Sequence, residues 1–284
     1  MPDNEKYPVP TAPEEQPPIG LPPREERVRI YLPARHNPKL RRVLEAVQAD
    51  DELYGLWHAQ NVNAVTRLGM SDHGPVHVQI VANLALHLLR TLVKHGVTPS
   101  SVKDHGMTQD DAEVIVSLAA LLHDIGMSIH RINHEEYSLI IADRKLPALL
   151  EGAYPDAGMR ALVQADILHA IIAHRANGRP MTLEAGIVRV ADALDMAKGR
   201  SRIPFEQGSI NIHSVSAMAV EEVTIEEGTK KPIRVHITLR NSAGIFQVDS
   251  LLKEKLKGSG LEPYIEVFAE SSGNEEPLVR VFEI

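Results

Sequence analysis

The segment Val114-Ile115-Val116-Ser117-Leu118-Ala119-Ala120-Leu121-Leu122-His123-Asp124-Ile125-Gly126 decides how this chain is read. It is a short apolar run that ends abruptly on a histidine and a carboxylate. The run is well below the ~18 residues that a membrane span requires. Upstream, Thr108 with Asp111 resembles a capping arrangement, so the spacing predicts a helix that ends near Gly126. His123 follows Val116, Ala119 and Ala120 at spacings of 7, 4 and 3, which places it on the apolar face with Asp124 beside it. A carboxylate taken into a core without a partner is costly, so this pair needs company.

Three further helices supply it from their apolar faces, and a fourth begins on a histidine. Pro75 suits the first turn of a helix running to about His95 and stopping at Gly96. On it His77 is in line with Ile80, Val81, Leu84 and Leu88. Asn133 with Glu136 predicts a capped helix whose first residue is His134. A helix over roughly Ala157–His174, closed by Asn177-Gly178, puts His174 in register with Val163, Ile167, Ala170 and Ile171. His169 is rotated away from it by about 140°, at ~100° per residue. Thr182 caps a last helix, expected to run through Lys198, on which Asp192 follows Val188. Four helices therefore each aim a His or Asp inward. A divalent ion solves that problem, because it neutralises carboxylates and takes neutral imidazole.

Outside this region the signals change. The chain has 284 residues, 14 histidines and no cysteine, so disulfides and thiolate metal sites are excluded. Ten of the histidines lie from His73 to His174. Residues 1–38 hold ten of the 19 prolines and read as a flexible or extended arm, in which Val28–Leu32 could add a strand or clamp. Residues 39–205 read as a helical domain. Residues 206–284 read as a small α+β domain of order strand, strand, helix, strand, strand. Its elements are expected at Glu222–Glu226, Pro232–Leu239, Val248–Leu256, Tyr264–Ala269 and Leu278–Phe282. The whole is thus an α+β chain. The net charge of −8 argues against general nucleic-acid binding, and no secretory signal is visible, so a soluble, cytoplasmic protein is expected. The tail carries 8 basic and 13 acidic side chains, so the acidity is concentrated there. Its strand edges could pair subunits into a homo-oligomer.

The order His77, His123-Asp124, Asp192 resembles the HD superfamily of metal-dependent phosphohydrolases. The local contexts agree: His77-Val78-Gln79-Ile80-Val81-Ala82, Leu121-Leu122-His123-Asp124-Ile125-Gly126 and Val190-Ala191-Asp192-Ala193-Leu194-Asp195. The likeness covers roughly residues 60–200. It implies a metal set of His77, His123, Asp124 and Asp192. His134 and His174 resemble the extra histidines of two-metal subfamilies, with Asp124 bridging the ions. Met127 stands where the cyclic-dinucleotide branch has Lys, and no Gly-Tyr-Pro follows His174, so the likeness does not extend to that branch.

With imidazole and carboxylate donors, Mn, Fe, Co, Ni or Zn ions fit, and Mg if waters complete its shell. Such an ion polarises a phosphoryl oxygen and activates water. The resemblance implies hydrolysis of a phosphoester, of a nucleotide or related phosphorylated small molecule. Alternatives are a nucleotide-binding regulatory HD module without turnover and a di-iron HD oxygenase. Beside Asp124, His73 and His130 are the candidate catalytic groups. Arg131, Arg175, Lys198, Arg200 and Arg202 are candidate phosphate contacts. Asp195 could bind a ribose hydroxyl or orient a ligand histidine. Histidine ligands must be neutral, so metal affinity is expected to fall below pH about 6.

Overall fold

The computed structural model describes residues 20–175, 177–196, 219–241, 244, 248, 252–271 and 281–283. Among these, the helices are α1 (Pro38–Ala49), α2 (Asp51–Asn61), α3 (Pro75–Lys94), α4 (Ser100–His105), α5 (Gln109–Leu122), α6 (His134–Glu151), α7 (Ala157–Ala173), α8 (Leu183–Leu194) and α9 (Lys253–Leu256). The strands are β1 (Val220–Glu227), β2 (Ile233–Leu239), β3 (Ile265–Ser271) and β4 (Val281–Glu283). The α+β reading and the element order of the tail agree with this.

The apolar run anchors the bundle. Every residue of α5 from Asp111 to Leu122 is buried, and the helix packs on α3, α7 and α8. Its start carries the expected capping box, in which the Thr108 amide donates to Asp111 Oδ2 at 2.9 Å. At its other end Trp57 of α2 donates its indole N–H to the Leu121 carbonyl at 2.9 Å, satisfying one of the acceptors that a helix end leaves open. The chain then tightens into a 3-10 turn, Ile125–Ser128. Asn63 holds that turn by donating to the Met127 and Ser128 carbonyls at 2.7 and 3.1 Å. Gly126 is required there, since a side chain would overlap the His134 carbonyl oxygen and crowd the Ser138 amide.

Several expectations are corrected. On α3 the buried face runs through His77, Val78, Val81, Ala85, Leu88, Leu89 and Leu92, while Ile80 is 39% exposed, so the stripe is rotated from the one read off the sequence. α3 is long and apolar enough to cross a membrane by length and composition, but it packs on α5 and α8. Asn133 does not cap α6: it adopts φ 59, ψ 30 with no side-chain capping bond. The following helix starts sharply because that left-handed residue turns the chain. Helix α8 ends at Leu194, short of Lys198. The arm is partly packed. Ile30, Leu32 and Ala34 are buried, the Tyr31 amide donates to Gln79 Oε1 at 2.6 Å, and Asn83 donates to the Tyr31 carbonyl at 3.1 Å. Residues 30–34 thus clamp α3, as one of the two readings of that stretch proposed.

The tail's sheet has the order β1-β2-β3-β4. β1 and β2 form an antiparallel hairpin, β2 and β3 are parallel, and β3 and β4 antiparallel. A parallel pair needs a crossover, and α9 lies on it. Ile233, Val235, Ile237 and Leu239 alternate inward with Ile265, Val267 and Ala269 beside them. α9 itself packs on α8, the helix that carries Asp192.

Candidate metal centre

Four secondary-structure ends converge on one point. The first turn of α3 delivers His77. The end of α5 delivers His123 and Asp124, the first residue of α6 delivers His134, and the end of α7 delivers His174. The last turn of α8 adds Asp192. Asp124 lies at the hub. Its Oδ2 is 3.5 Å from His77 Nε2 and 3.4 Å from His123 Nε2. Its Oδ1 is 3.0 Å from His134 Nε2 and 3.6 Å from His174 Nε2. Asp192 Oδ1 lies 3.7 and 3.6 Å from the His77 and His123 Nε2 atoms. Three overlapping trios, His77/His123/Asp192, His123/Asp124/His174 and His134/Glu135/His174, each place their donor atoms within 4.8 Å of one another.

The outward ring nitrogens are all engaged. His77 Nδ1 donates to Asp195 Oδ2 at 2.6 Å, His123 Nδ1 to the Ala120 carbonyl at 2.7 Å and His174 Nδ1 to the Ile171 carbonyl at 2.5 Å. His134 Nδ1 lies 3.0 Å from the Arg131 carbonyl oxygen and 3.1 Å from Glu135 Oε2. At His77, His123 and His174 the Nδ1 partners are acceptors, so the proton sits on Nδ1 and Nε2 is the nitrogen directed at a metal ion once any second proton leaves; His134 Nδ1 has both the Arg131 carbonyl and the Arg131 guanidinium within reach. The two histidines at helix ends use open i−3 carbonyls of their own helix, which is why the ligands sit where helices stop.

The electrostatics are those of a site that draws positive charge to its carboxylates. Burial works against charge on Asp124, but the His123, His134 and His174 imidazoles outweigh it and hold the carboxyl well below its usual range. Burial likewise opposes charge on Asp192, and the Lys255 ammonium and His123 hold its carboxyl low. Burial alone would lower the pKa of His123, yet Asp124 and Asp192 raise it to about 10. Burial pushes His174 down, and Asp124 offsets this only in part.

The other candidates divide. His73 is buried, its Nε2 4.0 Å from Asp124 Oδ2 and its Nδ1 donating to the Ser71 carbonyl at 2.7 Å. His130 is exposed and accepts from the Ile132 amide at 3.0 Å; no described contact joins it to the cluster. Arg131 has its Nη1 2.8 Å from His134 Nδ1, so it borders the centre. Arg175 is exposed and paired with Glu136 at 2.9 Å. Asp195 is engaged with His77, which favours its ligand-orienting reading over ribose binding. Lys198, Arg200 and Arg202 lie outside the described residues. Two residues near the cluster escaped the sequence reading. Glu135 has the look of a helix-start acid, and its place beside a candidate ligand was the available signal. Lys255 offered none, lying 63 residues from the Asp192 it meets.

The fold and the His/Asp cluster, which could hold a metal ion, are those of an HD domain, and the HD-domain family model matches residues 76–197. The chain belongs to the HD-domain superfamily. It is also 44% identical over 224 residues to MJ1020 of Methanocaldococcus jannaschii, a protein described only as uncharacterized; the match covers 79% of this chain and 86% of that one.

Proposed function

We propose that this chain is a metal-dependent phosphohydrolase acting on a phosphoester of a nucleotide or related phosphorylated small molecule. One observation carries the reading: the Nε2 atoms of four buried histidines face two buried or half-buried carboxylates, with the opposite nitrogens occupied. His77, His123, Asp124 and Asp192 would hold one divalent ion, and Asp124, His134 and His174 a second. The donors, all imidazole and carboxylate, fit Mn, Fe, Co, Ni or Zn. When bound, the metal supplies Lewis acidity at a phosphoryl oxygen and a water nucleophile near neutral pH.

The protein's own part is orientation. Asp195 and the Ala120 and Ile171 carbonyls fix the imidazole planes, and the bundle around α5 keeps bulk water from the inner face of the site. His73, with Nδ1 on Ser71 and Nε2 facing Asp124, is the group placed to give a proton to a leaving oxygen. Arg131, beside His134, is the described arginine nearest the centre to meet phosphate.

The test is elemental analysis of purified protein, followed by a panel of nucleotides and phosphoesters with Mn²⁺. Phosphate release that is lost in Asp124→Ala supports the proposal. Nucleotide binding without turnover would favour the regulatory reading. Bound iron with oxygen consumption would favour the oxygenase.

A further inference from the structure

Of the lysines and arginines described, Lys255 reaches a metal-candidate carboxylate directly, and it comes from the tail. It stands on α9, beyond β1 and β2. Its Nζ donates to Asp192 Oδ2 at 3.3 Å and to the His174 carbonyl. The other oxygen of Asp192, Oδ1, is the one that faces His77 and His123. The ammonium therefore ties down the outer oxygen and leaves the inner one to the cluster. Through the His174 carbonyl it also grips the end of the helix that presents a second candidate ligand.

α9 is held in place for this. Arg189 of α8 is buried, and it donates to the Lys255 carbonyl at 2.8 Å and the Glu254 carbonyl at 3.0 Å. The same guanidinium donates to the Arg175 carbonyl at 3.0 Å and to the Gly178 carbonyl, in the loop that follows His174. Gly186, one helical turn before Val190, lets α8 approach so closely that a side chain there would overlap the Ser259 carbonyl oxygen. One buried cation thus ties α9 to the loop after His174, and Lys255 runs from α9 to the donor groups themselves.

We propose that Lys255 is a positioning residue of the metal centre: it fixes Asp192 with a single oxygen directed at the ion, so that the C-terminal α+β unit completes the site. The inference rests on the metal reading above. A carboxylate ligand is typically oriented by a partner on its outer oxygen, and losing such a partner costs about 10–100-fold in metal affinity. A lysine whose only role was to dock α9 would, when replaced, change thermal stability without changing the metal affinity of the folded protein.

The experiment is Mn²⁺ binding by equilibrium dialysis on the full chain, with far-UV circular dichroism to confirm folding. Lys255→Met keeps the apolar stem and should bind Mn²⁺ about 10–100-fold more weakly than wild type. Lys255→Arg, which keeps a donor, should recover most of that loss. Because Lys255 acts through Asp192, Lys255→Met should add little further loss in an Asp192→Asn background. If Lys255→Met fails to fold, the Lys255→Arg protein and a Lys255→Gln protein carry the same comparison. Wild-type or tighter affinity in a folded Lys255→Met protein overturns the proposal, as does full additivity with Asp192→Asn. A wild-type chain that binds no Mn²⁺ or other divalent ion overturns the metal reading itself, and this inference with it.

Discussion

Nδ1 of His77 donates to Oδ2 of Asp195 at 2.6 Å, across 118 residues of sequence. The pair joins the first turn of α3 to the residue that follows α8, so the ring that faces Asp124 is aimed from a different helix. A carboxylate on Nδ1 also raises the basicity of Nε2.

Asp195→Ala should therefore weaken Mn²⁺ binding by about 10–100-fold while leaving the helical content intact. Equilibrium dialysis with circular dichroism separates the two effects. Unchanged affinity would return Asp195 to the candidates for substrate contact.

The two histidines of the α7 segment should behave differently. His174 turns Nε2 toward Asp124 at 3.6 Å, whereas His169 Nε2 accepts from the Met181 amide at 2.9 Å. His174→Ala should lower metal stoichiometry or affinity and His169→Ala should not, as measured by elemental analysis after dialysis. The reverse order would make His169 rather than His174 the ligand and contradict this site.

Gly126→Ala tests the approach of α6 to the turn after Asp124. The added methyl would overlap the His134 carbonyl oxygen and press on the Ser138 amide, which lies next to a hydrogen bond from the Gly126 amide to Ser138 Oγ at 2.8 Å. The cost should be about 1–3 kcal/mol of stability, as for other overpacked sites. Because the strained atoms belong to the first turn of α6, His134 should shift and metal affinity fall with it. Calorimetry that shows no change in Tm would contradict this packing.

The pH dependence follows from His123. In the metal-free protein Asp124 and Asp192 overcome burial and raise its pKa to about 10. The protonated ring stabilises the metal-free fold below its unfolded value near ~6.5, and that contribution is lost as pH rises toward the folded pKa. Metal must displace this proton, so apparent Mn²⁺ affinity should climb by up to about tenfold per unit between pH ~6 and ~8. The sequence alone suggested a fall only below pH about 6; the flanking carboxylates move the window upward. Titrations that give one affinity across this range would count against a histidine such as His123 among the ligands.

What the sequence showed and what it hid follow the same physics. Helix phase is a local property, so His123, His174 and Asp192 could be placed on apolar faces from spacing, and the structure brings all three to the cluster. The phase of α3 was harder, because a central helix is apolar on most of its surface and Ile80 could be mistaken for core. The start of α6 misled for a different reason: Asn133 and Glu136 have capping chemistry, but a left-handed Asn133 starts the helix by backbone geometry instead. Which histidine Asp195 meets, and the contact of Lys255, were hidden because they are made between distant segments, and nothing in local periodicity encodes a partner 63 or 118 residues away.

Elemental analysis of wild-type and Asp124→Ala protein, purified side by side, tests the central claim most directly. Asp124 has oxygens facing His77 and His123 on one side and His134 and His174 on the other. The account expects one or two equivalents of a divalent transition metal in the wild type and loss of most of it in the variant. Equal metal content in both folded proteins would contradict it.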